Sequence, residues 1–126
     1  MNNQSPLLLE ALEHQRPART APLARLGRWL LFSQLQRFEH GELRVVEPDG
    51  NTLVFGRRHA NFDVGCTLYI GHPQLYADAA FGGTVGAGEA YIRGLWHSDD
   101  LVSLVRIFVA NRAAMNALDS LSLIHI

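Results

Sequence analysis

Residues Gly82–Leu101 read GGTVGAGEAYIRGLWHSDDL, and this stretch places five glycines, two large aromatic residues and three acids within twenty positions. Glycine adopts positive φ angles without strain and allows another chain segment to approach closely, so Gly82–Gly88 is expected to form a tight connector. A short helix should follow through Arg93 and end at Gly94. Ser98 is then the predicted N-cap of a second helix, with two acids in its first turn, where the helix dipole favours negative charge.

The two aromatic residues of this stretch, Tyr91 and Trp96, carry large rings of a kind that is usually anchored in a core. We therefore expect both rings to be buried and to fix the corner between the two helices. Glu89 lies among small and apolar neighbours, and three roles are open for it. It can be a helix N-terminal acid that free backbone amides satisfy, a contact at a domain interface, or a desolvated carboxylate that acts as a general base.

The pattern Gly-x-Gly-Glu-x-Tyr, followed by Gly-x-Trp and Asp-Leu, resembles the N-terminal domain of cyclopropane-fatty-acyl-phospholipid synthases and related S-adenosylmethionine-dependent methyltransferases. The matching residues are Gly86, Gly88, Glu89, Tyr91, Gly94, Trp96, Asp100 and Leu101. The resemblance extends from about Leu23 to Arg112. Ile92 and Arg93 stand where the family usually has Met-Asp, which weakens any role for an acid at that point.

The resemblance implies a sterol-carrier-like lipid-binding fold. In the family, a separate C-terminal domain binds S-adenosylmethionine and adds a methylene across a cis double bond of a phospholipid acyl chain. We therefore expect no cofactor in this chain and S-adenosylmethionine in the full-length parent. The expected partners are a phospholipid membrane surface, the missing catalytic domain and a second copy of the chain.

The composition agrees with one globular domain of 126 residues, since 48% of the residues are hydrophobic and 18% are charged. The net charge of −1 gives no indication of nucleic-acid binding. The chain has no lysine, so every fixed cation is an arginine. This suits bidentate phosphate contacts and equally fits a bias in genomic base composition.

The lone cysteine, Cys66, excludes an internal disulfide and predicts a small buried side chain. The sequence has no signal-peptide pattern and no apolar run of the length that a membrane span requires. The expected location is therefore cytoplasmic, and peripheral attachment to the inner membrane face is left open.

The chain order predicts an α+β fold, with a small antiparallel sheet packed by helices. Residues 1–22 are expected to form a flexible arm, and residues 23–118 a single domain. Residues 119–126 are expected to be a tail, and they resemble translated sequencing-adaptor read-through.

Hydrophobic periodicity and turn residues predict the individual elements. They are an amphipathic helix over Ala24–Phe38, strands over Leu43–Glu47, Thr52–Phe55 and Val64–Ile70, a helix from Pro73 to about Phe81, and a last helix from Asp99 to about Leu118. The last helix is expected to bury Leu101, Leu104, Val105 and Phe108, with Val102 and Val109 widening its buried side.

The first predicted helix has two open interpretations. Its apolar residues can simply pack in the core, or Trp29 and Phe32 can enter a lipid surface while arginines meet the phosphates. The candidates for lipid headgroup contacts are Arg25, Arg28, Arg57 and Arg58, and Arg37 lies on the same helix as the first two.

The favoured function is an N-terminal lipid-docking domain without catalytic capacity of its own. The candidates for the domain interface are Glu89, Tyr91, Trp96, Gly86, Gly88 and Gly94. A free-standing carrier of a small lipid or apolar ligand is the alternative, and it requires an apolar cavity of about 300 Å³ or more. An independent enzyme is the third hypothesis, but no catalytic or metal-ligating set can be assembled from the sequence.

Overall fold

The computed structural model describes residues 22–115, and it has the predicted α+β architecture of a small sheet packed by helices. In chain order the elements are helix α1 (described over 22–35), strands β1 (Gly41–Val46), β2 (Thr52–Arg57) and β3 (Gly65–Ile70), helix α2 (Gln74–Ile92), strand β4 (Trp96–Ser98) and helix α3 (Leu101–Ala110). A further helical segment is described over 112–115. Three predicted segments lie outside the described residues. They are the arm, except for its last residue, the end of the last helix, and the tail at 119–126.

The sheet has four strands in the order β2-β1-β3-β4, and it is mixed rather than antiparallel. β1 and β2 form the predicted antiparallel hairpin, in which Gly50 takes a φ of 89° in the turn. β1 and β3 are parallel, with Leu43 opposite Cys66 and Val45 opposite Leu68. The expectation of an all-antiparallel sheet is therefore wrong for this pair. Because β2 carries the chain back along β1, β3 can start at the same end as β1 and lie on its other side.

The fourth strand replaces part of the predicted corner. β4 pairs with the end of β3, with Trp96 opposite Ile70. Ser98 is not the N-cap of the last helix but the last residue of β4, and its hydroxyl donates to a carbonyl oxygen of β3 at 2.8 Å. Asp100 caps α3 instead, and its carboxylate accepts from a backbone N–H in the first turn at 3.1 Å.

Helix α2 is longer than the sequence indicates, because the predicted connector is reduced to one residue. Gly83 breaks the helix with φ 61° and ψ −145°, a conformation that residues with a side chain rarely adopt. The chain is helical again immediately after it, and a Cβ on Gly86 would overlap the backbone oxygen of Asp78, so the two halves of α2 pack closely. The helix ends where the sequence predicts, since Arg93 is its C-cap and Gly94 follows with φ 77°.

The core lies between one face of the sheet and the helices. Cys66 is buried there, as the sequence predicts. The most completely buried large side chains are Leu35 of α1, Leu43 and Val45 of β1, and Ile107 of α3. Among residues 22–115, no helix combines the length and the apolar character that crossing a bilayer requires.

Helix α3 buries a narrower face than the sequence indicates. Leu104 and Ile107 are buried against the sheet, and Phe108 packs edge-on against Phe38 with 5.4 Å between ring centroids. The predicted burial of the other apolar side chains of this helix is wrong, because they are between 40% and 71% exposed. We call the surface that they form the α3 outer face, and it consists of Leu101, Val102, Val105 and Val109.

Candidate functional site

Helix α1 presents a second exposed apolar surface. Trp29 is 64% exposed, and Leu23 and Leu26 are about half exposed. These residues are spaced three apart along the helix, so they lie on one side of it, opposite the buried Leu31 and Leu35. We call this surface the α1 outer face. A contiguous exposed patch that contains a tryptophan is the kind of surface that often marks an interaction site.

Two exposed arginines belong to α1 and the turn that follows it. Arg25 lies within the helix and Arg37 in the turn that follows it, and neither makes an ion pair with another of the described residues. Phe32, which the lipid interpretation placed beside Trp29, is instead a core residue whose ring lies 5.4 Å from that of Phe55, centroid to centroid. One side of the helix therefore packs in the core and the other exposes Trp29, and entry of Trp29 into a lipid surface stays a prediction.

Arg28 is held in a partly buried ion pair. Its Nε and Nη2 atoms donate to the two carboxylate oxygens of Glu47 at 2.7 and 2.8 Å, which is the bidentate geometry that arginine favours. The guanidinium carbon also lies 4.5 Å from the centroid of the Phe32 ring. A lipid phosphate would have to displace Glu47, so Arg28 is the least suitable headgroup ligand of the four arginines predicted from the sequence.

Glu47 joins three elements of the fold. Besides the two bonds from Arg28, it accepts a hydrogen bond from the Tyr76 hydroxyl of α2 and one from Asn51 Nδ2 in the hairpin turn at 3.0 Å. The Arg28 hydrogen bonds, reinforced by those from Tyr76 and Asn51, lower the pKa of Glu47 to about 2 against the opposing effect of burial. Burial, with the Glu47 carboxylate next, raises the pKa of Tyr76. Sequence reasoning missed this network because its members are far apart in the chain and no local pattern connects them.

The two other predicted headgroup arginines, Arg57 and Arg58, line an open depression beside the end of β2. Its volume is about 760 Å³, and His40 and His59 also line it. Arg57 is exposed, whereas the Arg58 guanidinium lies 3.6–3.7 Å from two carboxylates in loose surface ion pairs. Arg57 and Arg58, which are neighbours in the chain, therefore share one depression, and Arg25 does not line it. Contact of these arginines with lipid headgroups stays a prediction.

The predicted interface residues surround the end of α2. The Tyr91 and Trp96 rings are in contact, with 4.8 Å between centroids. Trp96 is partly buried, and its indole N–H donates to the Ala87 carbonyl oxygen at 2.8 Å. Tyr91 is 42% exposed, so the expectation that both rings are buried is wrong for the tyrosine. Glu89 is exposed near the C-terminal end of α2, so it is not a helix N-terminal acid.

Two glycines of the motif are required by different features of the structure. Gly86 allows the two halves of α2 to approach, and Gly94 supplies the positive φ that ends the helix. Gly88 has open space around the position of a Cβ, so contacts among the described residues do not require a glycine there. Ile92, which departs from the family pattern, is 84% exposed beside Tyr91. The motif therefore ends in an apolar surface at the end of α2 that the described residues leave uncovered.

Several groups that could carry catalysis or bind a metal are engaged in structural contacts. His97 stacks on Tyr69 with 4.8 Å between ring centroids, and Asp99 accepts from the Thr67 backbone N–H at 2.8 Å. Burial raises the pKa of the Cys66 thiol to about 11, which keeps it protonated at neutral pH. Within residues 22–115, no three side chains of His, Cys, Asp or Glu form a group that could hold a metal ion.

Comparisons of the chain with protein-family models, with curated proteins and with solved structures found no match.

Proposed function

We propose that the chain is the N-terminal lipid-docking domain of a cyclopropane-fatty-acyl-phospholipid synthase-like methyltransferase, which uses S-adenosylmethionine to modify unsaturated phospholipid acyl chains. The catalytic domain, a sterol-carrier-like relationship of the fold and a peripheral location at the inner membrane face belong to the same proposal. The observation that carries it is the α1 outer face, where Trp29 and two leucines are exposed, together with the exposed Arg25 of the same helix and the exposed Arg37 in the turn after it.

The chemistry of this face suits the surface of an anionic membrane. Tryptophan has an apolar body and one polar N–H, a combination that favours the boundary between acyl chains and headgroups. Arg25 and Arg37 can each contribute on the order of 1 kcal/mol near an anionic surface. Burial of the exposed parts of Leu23, Leu26 and Trp29 contributes roughly 1 kcal/mol for each residue. The total, about 5 kcal/mol, corresponds to a dissociation constant on the order of 0.1 mM, so docking is weak and reversible.

The second part of the proposal concerns the catalytic domain of the parent protein. Tyr91 and Ile92 expose apolar surface in the segment that resembles the family, and Glu89 and Trp96 lie close to them in the chain. The α3 outer face adds further exposed apolar side chains. Such surfaces can be buried where two domains of one chain meet. The end of α2 and the α3 outer face are therefore the proposed contact for the catalytic domain, and the lipid surface is assigned to α1.

A carrier function receives less support than docking. A carrier needs an apolar cavity between the sheet and the helices. In the described part of the chain, side chains that are 0–1% exposed, such as Leu35, Leu43 and Ile107, occupy that space. The depression near Arg57 is open to the surface, and charged and imidazole side chains are prominent in its lining.

Vesicle binding tests the membrane part directly. The chain is sedimented with phosphatidylglycerol vesicles and with phosphatidylcholine vesicles, at low and at high salt. We expect binding to the anionic vesicles that weakens as salt rises, because the arginine contribution is screened. Replacing Trp29 by serine should weaken binding about fivefold. Val54→Ser, at a comparably exposed position on β2, should leave binding unchanged.

Arginine variants separate the electrostatic from the apolar contribution. The double variant Arg25→Gln and Arg37→Gln should lose roughly tenfold or more in affinity for the anionic vesicles and most of the salt dependence. The matched control is the double variant Arg44→Gln and Arg112→Gln, which removes the same charge from exposed positions on other elements. Equal loss in both double variants, or full binding by the Trp29 variant, would contradict docking through α1.

The methyltransferase part is tested at the level of the gene. Sequencing of the genomic DNA downstream of the last codon should reveal an open frame that encodes a cofactor-binding domain. Co-expression of that domain with this chain should then yield a complex that Ile92→Asp or Val102→Asp weakens, because both positions are more than two-thirds exposed and apolar. A downstream region that encodes no such domain would contradict this part and leave the vesicle result to stand separately.

A further inference from the structure

Two histidines from different parts of the chain meet at the edge of the open depression. His40 precedes β1 and His59 follows β2, and the distance from His40 Nδ1 to His59 Nε2 is 3.0 Å. The imidazole rings are inclined at 66°, with 5.2 Å between their centroids. Both residues are partly buried, and both line the depression. This pair has no part in the proposed lipid docking.

The backbone on each side of the pair is fixed by hydrogen bonds. Asn111, which is 5% exposed, accepts from the His40 N–H at 3.1 Å and donates to the His40 carbonyl oxygen at 2.7 Å. His59 exchanges two backbone hydrogen bonds with Phe62, at 3.3 and 2.9 Å. Because these contacts hold the main chain, the imidazoles meet at a lower ordering cost than two histidines on mobile loops would have.

The spacing of the two nitrogens is close to that of two ligands on one metal ion. Zinc binds histidine nitrogen at about 2.0–2.1 Å with tetrahedral geometry, which places two such nitrogens about 3.3 Å apart. The nitrogens of His40 and His59 are 3.0 Å apart in a hydrogen bond, so one of them carries the shared proton. Metal binding requires that proton to move to the other nitrogen of the same ring, or to solvent, and each ring to turn until both lone pairs meet at the ion. Imidazole nitrogen is a preferred ligand for zinc, nickel and copper, whereas magnesium and calcium prefer oxygen ligands.

We propose that His40 and His59 form an open two-histidine site for a divalent transition metal of the zinc, nickel and copper class. No third His, Cys, Asp or Glu of the part of the chain described here completes a three-ligand cluster, so water or an external ligand takes the remaining positions. The guanidiniums of Arg57 and Arg58 in the same depression oppose a cation, whereas the carboxylate of Glu39 favours one. The affinity is therefore lower than that of a closed structural zinc site.

Calorimetric titration of the untagged full chain with zinc chloride tests the site, with magnesium chloride as the second probe. We expect one zinc ion bound per chain and no magnesium binding. His40→Gln and His59→Gln should each weaken zinc binding at least tenfold. Loss of a residue that only hydrogen-bonds to a metal ligand typically lowers metal affinity roughly 10–100-fold, and loss of the ligand itself should lower it at least as much. Two other imidazoles provide the controls: His72→Gln and His97→Gln should bind zinc within about twofold of the parent chain.

A second measurement keeps the test decisive if one of the variants folds poorly. Nuclear magnetic resonance of the imidazole nitrogens in the parent chain should show zinc-dependent shifts at His40 and His59 and none at His72 or His97. Absence of zinc binding to the well-folded parent, shifts confined to the control histidines, or unchanged affinity in a folded His59→Gln chain would each overturn the proposal. The pair would then be a hydrogen bond between two imidazoles.

Discussion

Replacement of Glu47 by glutamine is expected to lower the free energy of unfolding by about 2–3 kcal/mol at pH 7, and by only about 1 kcal/mol at pH 3. Glu47 is 8% exposed and receives the two hydrogen bonds from Arg28 together with those from Tyr76 and Asn51. These contacts lower its pKa from the ordinary 4.5 to about 2. The difference corresponds to about 3 kcal/mol of stabilisation in the ionised state, and solvent around the 42% exposed Arg28 side chain reduces it toward about 2 kcal/mol.

The direction of the pH dependence follows from the lowered pKa. A carboxylate that is easier to ionise in the folded chain stabilises that chain fully above its unfolded-state pKa of 4.5. The stabilisation is lost as the pH falls through the folded value of about 2. At pH 3 more than half of the contribution of Glu47 has therefore disappeared, so the difference between the parent chain and the variant should shrink to about 1 kcal/mol there.

Urea unfolding followed by circular dichroism at pH 7, 5 and 3 provides the measurement. The matched control is Glu89→Gln, which removes the same charge at an exposed position without an ion pair among the described residues. It should change the free energy of unfolding by no more than about 0.5 kcal/mol. A Glu47→Gln penalty that is equal at pH 7 and pH 3, or smaller than about 1 kcal/mol at pH 7, would refute the reasoning. The Arg28 pair would then behave as a solvent-screened surface contact.

Two further predictions concern the backbone of α2 and the buried thiol. Gly83→Ala should lower the free energy of unfolding by about 1–3 kcal/mol, because alanine rarely adopts φ 61° and ψ −145°. The control is Gly82→Ala, which has open space around its Cβ position and should be neutral or stabilising by up to about 1 kcal/mol. Thermal unfolding of the two variants provides the measurement. Equal effects in both would contradict the role of Gly83 as the helix break. Cys66 should react with a disulfide reagent at pH 8 about 100-fold more slowly in the folded chain than in urea, because burial raises its pKa from 9.0 to about 11. Rapid reaction of the folded chain would contradict that burial.

Local sequence patterns were sufficient to predict several elements. The helical spacing of Leu23, Leu26 and Leu30 predicts α1, because one turn of a helix returns a side chain to the same face. Burial does not follow this spacing throughout, since Leu23 and Leu26 are about half exposed. The alternation from Cys66 to Ile70 predicts β3 and its buried side. Gly94 predicts the end of α2, since a residue with positive φ does not continue a right-handed helix.

Helix α3 shows where such patterns fail. The segment from Leu101 to Ala110 is apolar on most of its circumference, so several faces fit the spacing of a buried stripe equally well. Docking against β1 and β3 selected the face with Leu104 and Ile107 and left the α3 outer face exposed. The lipid interpretation of α1 is wrong for Phe32 for the same reason. Which side of α1 meets the sheet decides that Trp29 is exposed and Phe32 is buried, and the sequence pattern does not indicate that side.

Short-range patterns specify the class of the fold, the helix end at Gly94 and the alternation of the strands, because each of these depends on neighbours within a few residues. Packing of the elements decides the parallel pairing of β1 with β3, the addition of β4, the ion pair of Arg28 with Glu47 and the meeting of His40 with His59. The partners in the ion pair and in the histidine pair are 19 positions apart, and those in the strand pairs are farther apart still. Contacts at such separations depend on how helices and strands are arranged in space, and no local pattern around these residues indicates them.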